Sequence, residues 1–298
     1  MNKNIKKTLL FVVFTFLSNY LLIVLYFALG GKWVIPNALI VTVIYMFIPM
    51  LIAIITQKLI YREYFKSLGL SWKLNKWFLV AWLLPLIIVF ATLGISLLFP
   101  GVEYSPTMSE ELERIKSIVT TEELKQIQSD LAAVPSYVLI LTRILQGLIA
   151  GVTINAVFGF GEELGWRGLL QTELNFMGFW KSSAIIGLTW GVWHAPLILQ
   201  GHNYPQHPQT GVLMMTILTL LLSPIYSYIR IKSKSVIAAS IMHGTTNALA
   251  VLPISLIKGG NDLIVGITGL AGLIAIAIVI ISLFAYDYFL DKEPVMSK

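Results

Sequence analysis

Apolar positions run along this chain in long blocks rather than in alternation. Stretches of bilayer-spanning length fall at 8–29, 37–57, 77–99, 137–160, 182–200, 211–229, 235–257 and 263–286. Each is near the roughly 20 residues a helix needs to cross ~30 Å of hydrocarbon. The pattern predicts an all-α fold, a polytopic membrane helix bundle of about eight transmembrane helices, with residues 1–298 as a single integral-membrane domain. The seventh block is the least apolar. The first follows Lys3, Lys6 and Lys7 and is longer than the roughly 7–15 apolar residues of a signal peptide, so it reads as an uncleaved anchor.

Basic residues orient the blocks. With the N-terminus inside, the inner segments carry Lys3, Lys6, Lys7, Lys58, Arg62, Lys66, Lys73, Lys76, Arg167, Lys181, Arg230, Lys232, Lys234, Lys292 and Lys298. The outer segments carry Lys32, Arg114, Lys116, Lys125 and Lys258. Positive charge gathers on cytoplasmic loops, so both termini are expected in the cytoplasm. The longest connection, Pro100 to Pro135, then lies outside. Within it Glu110–Lys116 and Thr121–Ser129 have helical composition, and Thr121 with Glu122 and Glu123 resembles a helix start. A solvated, acidic pair of surface helices is expected there.

Composition changes the picture only by exclusion. The chain is 57% hydrophobic and 12% charged, about half the charge of a soluble domain at roughly 25%, and its mean hydropathy is +0.80. It has no cysteine, which removes disulfides, cysteine ligands and a thiol nucleophile. The net charge of +6 is accounted for by cytoplasmic loops, so the expected partner is the lipid bilayer and not nucleic acid. No organelle address is evident, and a prokaryotic plasma membrane is the expected location.

Against this background a few polar residues stand out. Glu162, Glu163 and Arg167 follow an apolar run from Ser136 to Phe160, His194 lies in a second apolar segment, and His243 and Asn247 lie in a third. Ionisable groups at membrane depth cost several kcal/mol each and mark functional sites. Counting about 1.5 Å per residue from inner boundaries near Glu173, Lys181 and Ser235 puts Glu162, His194 and His243 roughly 12–20 Å deep, which predicts a shared cavity open to the cytoplasm. A helix from Arg143 to Glu173 would be about 45 Å long, so it must tilt, break or extend into the interface; Gly159, Gly161 and Gly165 favour a break or a close helix approach there. Glu163 and Arg167 are spaced to pair on one helix face, as are His243 with Asn247 and Trp190 with His194. Thr153 and Asn155 are expected to hydrogen-bond between helices. His202 and His207 fall in an outer Gly/Pro-rich turn and are expected at the solvated surface.

Three short motifs carry a family resemblance. Glu162-Glu163-Leu164-Gly165-Trp166-Arg167, Trp190-Gly191-Val192-Trp193-His194 and His243-Gly244-Thr245-Thr246-Asn247 resemble the EExxxR, FxxxH and HxxxN signatures of the intramembrane CAAX-type proteases, also called bacteriocin-processing (CPBP) or Abi proteins. The likeness covers roughly residues 137–250, the motif-bearing core. Trp190 stands where the family usually has phenylalanine. The resemblance implies an intramembrane, glutamate-dependent endopeptidase acting on a membrane-associated peptide or protein. Glu162 and His194 would position and activate water, His243 and Asn247 would stabilise the oxyanion, and Glu163 and Arg167 would support the geometry. It also implies that no cofactor is required. The residues themselves leave two alternatives open. Two histidines and a carboxylate make Glu162, His194 and His243 a possible zinc set, and a membrane immunity or scaffold protein acting by binding would use the same polar cluster without chemistry.

Overall fold

The computed structural model describes residues 2–34, 36–107 and 120–297. Among the described residues, ten helices of ten residues or more organise the fold: α1 Lys3–Ala28, α2 Asn37–Ile54, α3 Lys76–Ser96, α4 Thr121–Ala133, α5 Ser136–Val152, α6 Ile154–Glu163, α7 Phe179–Trp193, α8 Pro208–Ser233, α9 Val236–Leu249 and α10 Leu270–Phe289. Among the described residues, strand is confined to a two-residue antiparallel ribbon, β1 Glu103–Tyr104 against β2 Ile257–Lys258.

Burial along α1 explains why these helices belong in lipid. Its inward positions, Thr8, Phe11, Thr15, Asn19 and Ile23, are buried at helical spacing, while Leu17, Leu21 and Val24 point outward. The outward face is the apolar one. A soluble helix has the opposite arrangement, and the exposed leucines and valines become ordinary once the solvent is hydrocarbon. Six helices among the described residues are long and apolar enough to span a bilayer, and a seventh if α4 and α5, bent by 103°, form one broken span. The protein is an integral membrane protein.

Two of the eight predicted blocks are interrupted. The block at 137–160 breaks at Thr153, whose backbone (φ −113°, ψ −105°) belongs to neither flanking helix. The Thr153 hydroxyl bonds back to Ile149 O at 2.7 Å within its own helix, and not across to a neighbour as expected. The block at 182–200 becomes the 15-residue α7, with His194 at its C-cap and a four-residue helix, Ala195–Ile198, beyond. The least apolar block, 235–257, does qualify as a span over Val236–Ser255. On the long connection, α4 starts at Thr121 as predicted and runs on to Ala133; Thr120 is its N-cap, in a reciprocal capping box with Glu123. The stretch Glu110–Lys116 lies outside the described residues.

Contacts at the helix ends sort the connections onto two faces. Lys7 Nζ bridges Glu63 at 2.5 Å and Glu173 at 2.6 Å, Lys232 pairs with Asp291 at 2.5 Å, and Trp180 Nε1 donates to Met296 O at 2.8 Å. The N-terminus, the α2–α3 connection, the start of α7 and the C-terminal tail therefore share one face. The β1–β2 ribbon and the Asp262 bonds to Gln206 N and His207 Nδ1 gather the opposite ends. At the centre α9 packs against α3, α5 and α6. A Cβ on Gly244 would lie 2.5 Å from Ala156 N, and one on Gly159 would lie 2.9 Å from Ser240 O. Only glycine permits that backbone approach, so Gly159 serves contact and not a helix break.

Candidate active site

The approach of α6 to α9 decides which polar groups meet. Glu162 and Glu163 close α6, and the chain then widens into a π-helical turn, Leu164–Leu170, that carries Arg167. Such turns concentrate at functional sites because they re-aim side chains within a continuous helix. All ten residues from Gly161 to Leu170 are buried.

Glu163 is the hub on one side. Its carboxylate receives Arg167 Nη1 at 3.2 Å and His243 Nδ1 at 2.9 Å, and Glu163 and Arg167 are both fully buried. The expected Glu163–Arg167 pair is therefore present, with a third member. The remaining guanidinium nitrogens, Nε and Nη2, have no hydrogen-bond partner among the described residues. Aromatic faces enclose the group instead, with the Trp190 ring 4.7 Å and the Tyr226 ring 4.9 Å from its central carbon. Arginine suits such a box because its planar cation stacks and is weakly hydrated.

Glu162 has a different environment. Trp190 Nε1–H donates to its Oε2 at 2.7 Å, and His243 Nε2 lies 3.9 Å from its Oε1. His243 thus stands between the two carboxylates, oriented by Glu163 through Nδ1 and presenting Nε2 toward Glu162. The Trp190 and Tyr226 rings flank the His243 imidazole at 5.6 and 5.9 Å between centroids. Phenylalanine at position 190 could supply the wall but not the hydrogen bond.

His194 lies beyond Trp190. Its Nδ1 is 2.8 Å from the Trp190 carbonyl oxygen. A carbonyl only accepts, so Nδ1 carries the proton and Nε2 is left as an acceptor. Glu162 and His194, expected to act together on a water, are joined through Trp190, its indole to one and its carbonyl to the other. Asn247 is exposed one turn beyond His243, and its amide is engaged by no described residue. Among the described residues no three His, Asp or Glu side chains converge as a metal-holding group; His194 and His243 each commit Nδ1 to a protein acceptor, which leaves Nε2 facing the site.

Two contributors carry no motif. Tyr226 boxes Arg167 and donates to Thr246 Oγ1 at 3.2 Å; it lies in an apolar helix and nothing in its spacing marks it. Tyr45 donates to Trp193 O at 2.5 Å, and its ring lies 4.5 Å from that indole. A buried tyrosine in a span needs a partner for its hydroxyl, and that is the signal that could have drawn attention to both.

His207 is not simply solvated, since its Nδ1 meets Asp262 at 2.6 Å, and His202 is half-buried in the wall of a cavity.

No curated protein matches the chain. The model of the family described as type II CAAX prenyl endopeptidase, Rce1-like, matches residues 131–249, a range that begins at the end of α4 and finishes with α9. It contains Glu162, Glu163, Arg167, Trp190, His194, His243 and Asn247. Residues 131–249 of this membrane protein are thus an Rce1-like domain of the CAAX protease and bacteriocin-processing family of membrane peptidases.

Proposed function

We propose that this protein is an intramembrane endopeptidase in which Glu162 activates water for attack on a peptide carbonyl, without a metal. The observation that carries this reading is the position of Glu162, buried yet held by a donor, with His243 Nε2 3.9 Å away. Peptide hydrolysis needs a base for water and donors aimed at the developing oxyanion. Glu162 supplies the first, and His243 Nε2–H with the Asn247 amide supplies the second. The His194 Nε2 lone pair is available to receive a proton and return it to the leaving amine.

Charge balance favours the same assignment. Two ionised carboxylates, Arg167 and an imidazolium at His243 sum to zero, the state that burial in hydrocarbon penalises least. In that state Glu163 orients His243 while Glu162 remains free to accept the proton of water. The peptide bond breaks as water oxygen bonds to the carbonyl carbon and the proton passes to the amine.

Family membership makes membrane-associated peptides or proteins the substrate class. The crowding of basic residues on the face of both termini supports a cytoplasmic assignment for that face, and the location in this reading is a prokaryotic plasma membrane. The test compares peptide termini in membranes holding wild type or Glu162→Ala at equal levels. A cut seen only with wild type is expected. Identical termini, with a cellular effect retained by the variant, would transfer the protein to the class of binding or immunity proteins.

A further inference from the structure

A second group of charged side chains lies away from the buried carboxylates, on the face of the termini. It encloses a pocket of about 800 Å³ where the ends of α3, α8 and α10 meet. Lys76 and Trp77 open α3, Lys232 and Lys234 end α8, and Tyr286 and Leu290 end α10. All three helices are long and apolar enough to span a bilayer, so the pocket lies where hydrocarbon gives way to lipid headgroups.

The fourth wall is the C-terminal tail from Asp291 to Val295, and the fold commits buried polar groups to holding it. Asp287, fully buried in the last turn of α10, accepts Val295 N–H at 2.9 Å and Met296 N–H at 2.7 Å. Lys232 Nζ donates to Glu293 O at 2.8 Å. A buried carboxylate is costly unless hydrogen-bonded, and here its bonds go to the main chain of the tail. The wall is therefore built, and α3, α10 and the tail all lie outside residues 131–249.

The charge inside is unbalanced. Lys76, Lys232, Lys234 and Lys292 line the pocket against Asp291 and Glu293. Asp291 is occupied by Lys232 at 2.5 Å and by the Tyr228 hydroxyl at 2.8 Å. Lys76 donates to the Tyr286 hydroxyl at 3.2 Å and lies 5.3 Å from the Trp77 ring. Lys76, Lys234 and Lys292 have no carboxylate partner among the described residues, so two positive charges are left over. The α3 N-terminus offsets one of the two helix C-termini that meet here, which subtracts only about half a charge.

The surroundings favour a lipid over a soluble anion. Trp77 and Tyr286 bring apolar rings with polar edges, the residues that gather at headgroup level. Toward the membrane the outward residues are apolar: Leu79, Leu83 and Ile87 on α3, Ile278 and Ile281 on α10. A phosphodiester with acyl chains uses both parts, whereas free phosphate uses only the lysines. We propose that this pocket holds the phosphate headgroup of an anionic phospholipid, with its acyl chains against α3 and α10. Basic pockets between membrane helices bind such headgroups. The inference does not depend on the role of Glu162.

The test uses the full-length protein in a neutral detergent and follows its melting temperature during titration with dioleoyl phosphatidylglycerol. Dioleoyl phosphatidylcholine and inorganic phosphate serve as the uncharged-lipid and free-anion probes. Phosphatidylglycerol is expected to raise the melting temperature to a plateau, and the other two to leave it unchanged. Lys234 and Lys292 are exposed, so the double variant Lys234→Asn, Lys292→Gln should melt like wild type without lipid. Its half-saturating phosphatidylglycerol concentration should rise about tenfold or more. Lys6→Gln, Lys66→Gln removes the same charge from the same face outside the pocket, and its titration should match wild type within about twofold. Equal weakening in both double variants would mean diffuse attraction to the basic face and would overturn the pocket. A phosphatidylcholine response equal to that of phosphatidylglycerol, or no response to either, would overturn the headgroup. The same plateau with inorganic phosphate would overturn the lipid as its source.

Discussion

Trp190 and Glu162, on different helices and 28 residues apart, are joined by an indole N–H hydrogen bond of 2.7 Å between buried partners. The aromatic position that the family usually fills with phenylalanine here also acts as a donor. It fixes the carboxylate orientation at one oxygen and leaves the other toward His243. A hydrogen bond to a charged group contributes about 1.5–3 kcal/mol. Trp190→Phe is therefore expected to lower kcat roughly 10- to 100-fold with little change in KM. Replacement by benzothienylalanine, which keeps the shape and loses the N–H, separates the hydrogen bond from packing. Equal loss in both variants supports the positioning role, and wild-type kcat in the benzothienyl variant would refute it.

The motif residues were legible because each is a polar group the bilayer resists, and such groups persist in an apolar block only with a partner. Their pairing was less legible. Helical spacing predicts Glu163 with Arg167, since both lie on one segment, but cannot predict that Glu163 also takes His243, 80 residues on. That contact depends on how closely α6 approaches α9, which Gly159 and Gly244 set. The depth count for His194 needs an unbroken helix from Lys181 only as far as His194, and α7 supplies it. Hydropathy did not show that the helix would stop there: it ends at Trp193, with His194 as its C-cap. The spans themselves were readable from hydropathy, apart from the break at Thr153, which is a backbone event with no proline to announce it.

Arg167 has no exposure and one carboxylate partner. Removing a single member of a buried ion pair leaves an uncompensated charge and costs about 3–5 kcal/mol, whereas replacing both with apolar groups is close to neutral. Glu163→Gln alone is expected to lower the thermal stability of the detergent-solubilised protein sharply. The double variant Glu163→Gln, Arg167→Met should recover much of that loss. Thermal aggregation curves for the single and double variants check this, and additive losses would contradict a coupled pair. Neither variant should regain full cleavage, because His243 Nδ1–H loses its charged acceptor and a neutral amide oxygen holds it less firmly.

The metal question has its own readout. Both histidines hold Nδ1 to protein acceptors and keep Nε2 available, which suits either chemistry, while the described residues assemble no three-ligand group. Under the proposed mechanism, cleavage by purified protein is expected to survive a strong chelator and not to rise when zinc is returned. Loss of cleavage restored by zinc would assign Glu162, His194 and His243 to a metal site after rearrangement.

On the face of the termini, Glu63 accepts from Lys3 at 2.7 Å and from Lys7 at 2.5 Å. Partial burial pushes its carboxyl upward, but the hydrogen bonds and charges of the two lysines outweigh that and hold it below its ordinary value of 4.5. A carboxyl depressed in the folded state stabilises the fold at pH above its unfolded value and loses that contribution as pH falls through the lowered folded value. Glu63 is partly exposed, so solvent screening keeps the effect near 1 kcal/mol. The melting temperature of the solubilised protein should fall as pH drops below about 4.5. Glu63→Gln should melt lower at neutral pH and show a shallower acid slope, because the variant has no proton to gain at that position. An unchanged slope would mean that the acid sensitivity arises elsewhere, and that the clasp of Lys3 and Lys7 on Glu63 contributes nothing to holding α1 against the α2–α3 connection.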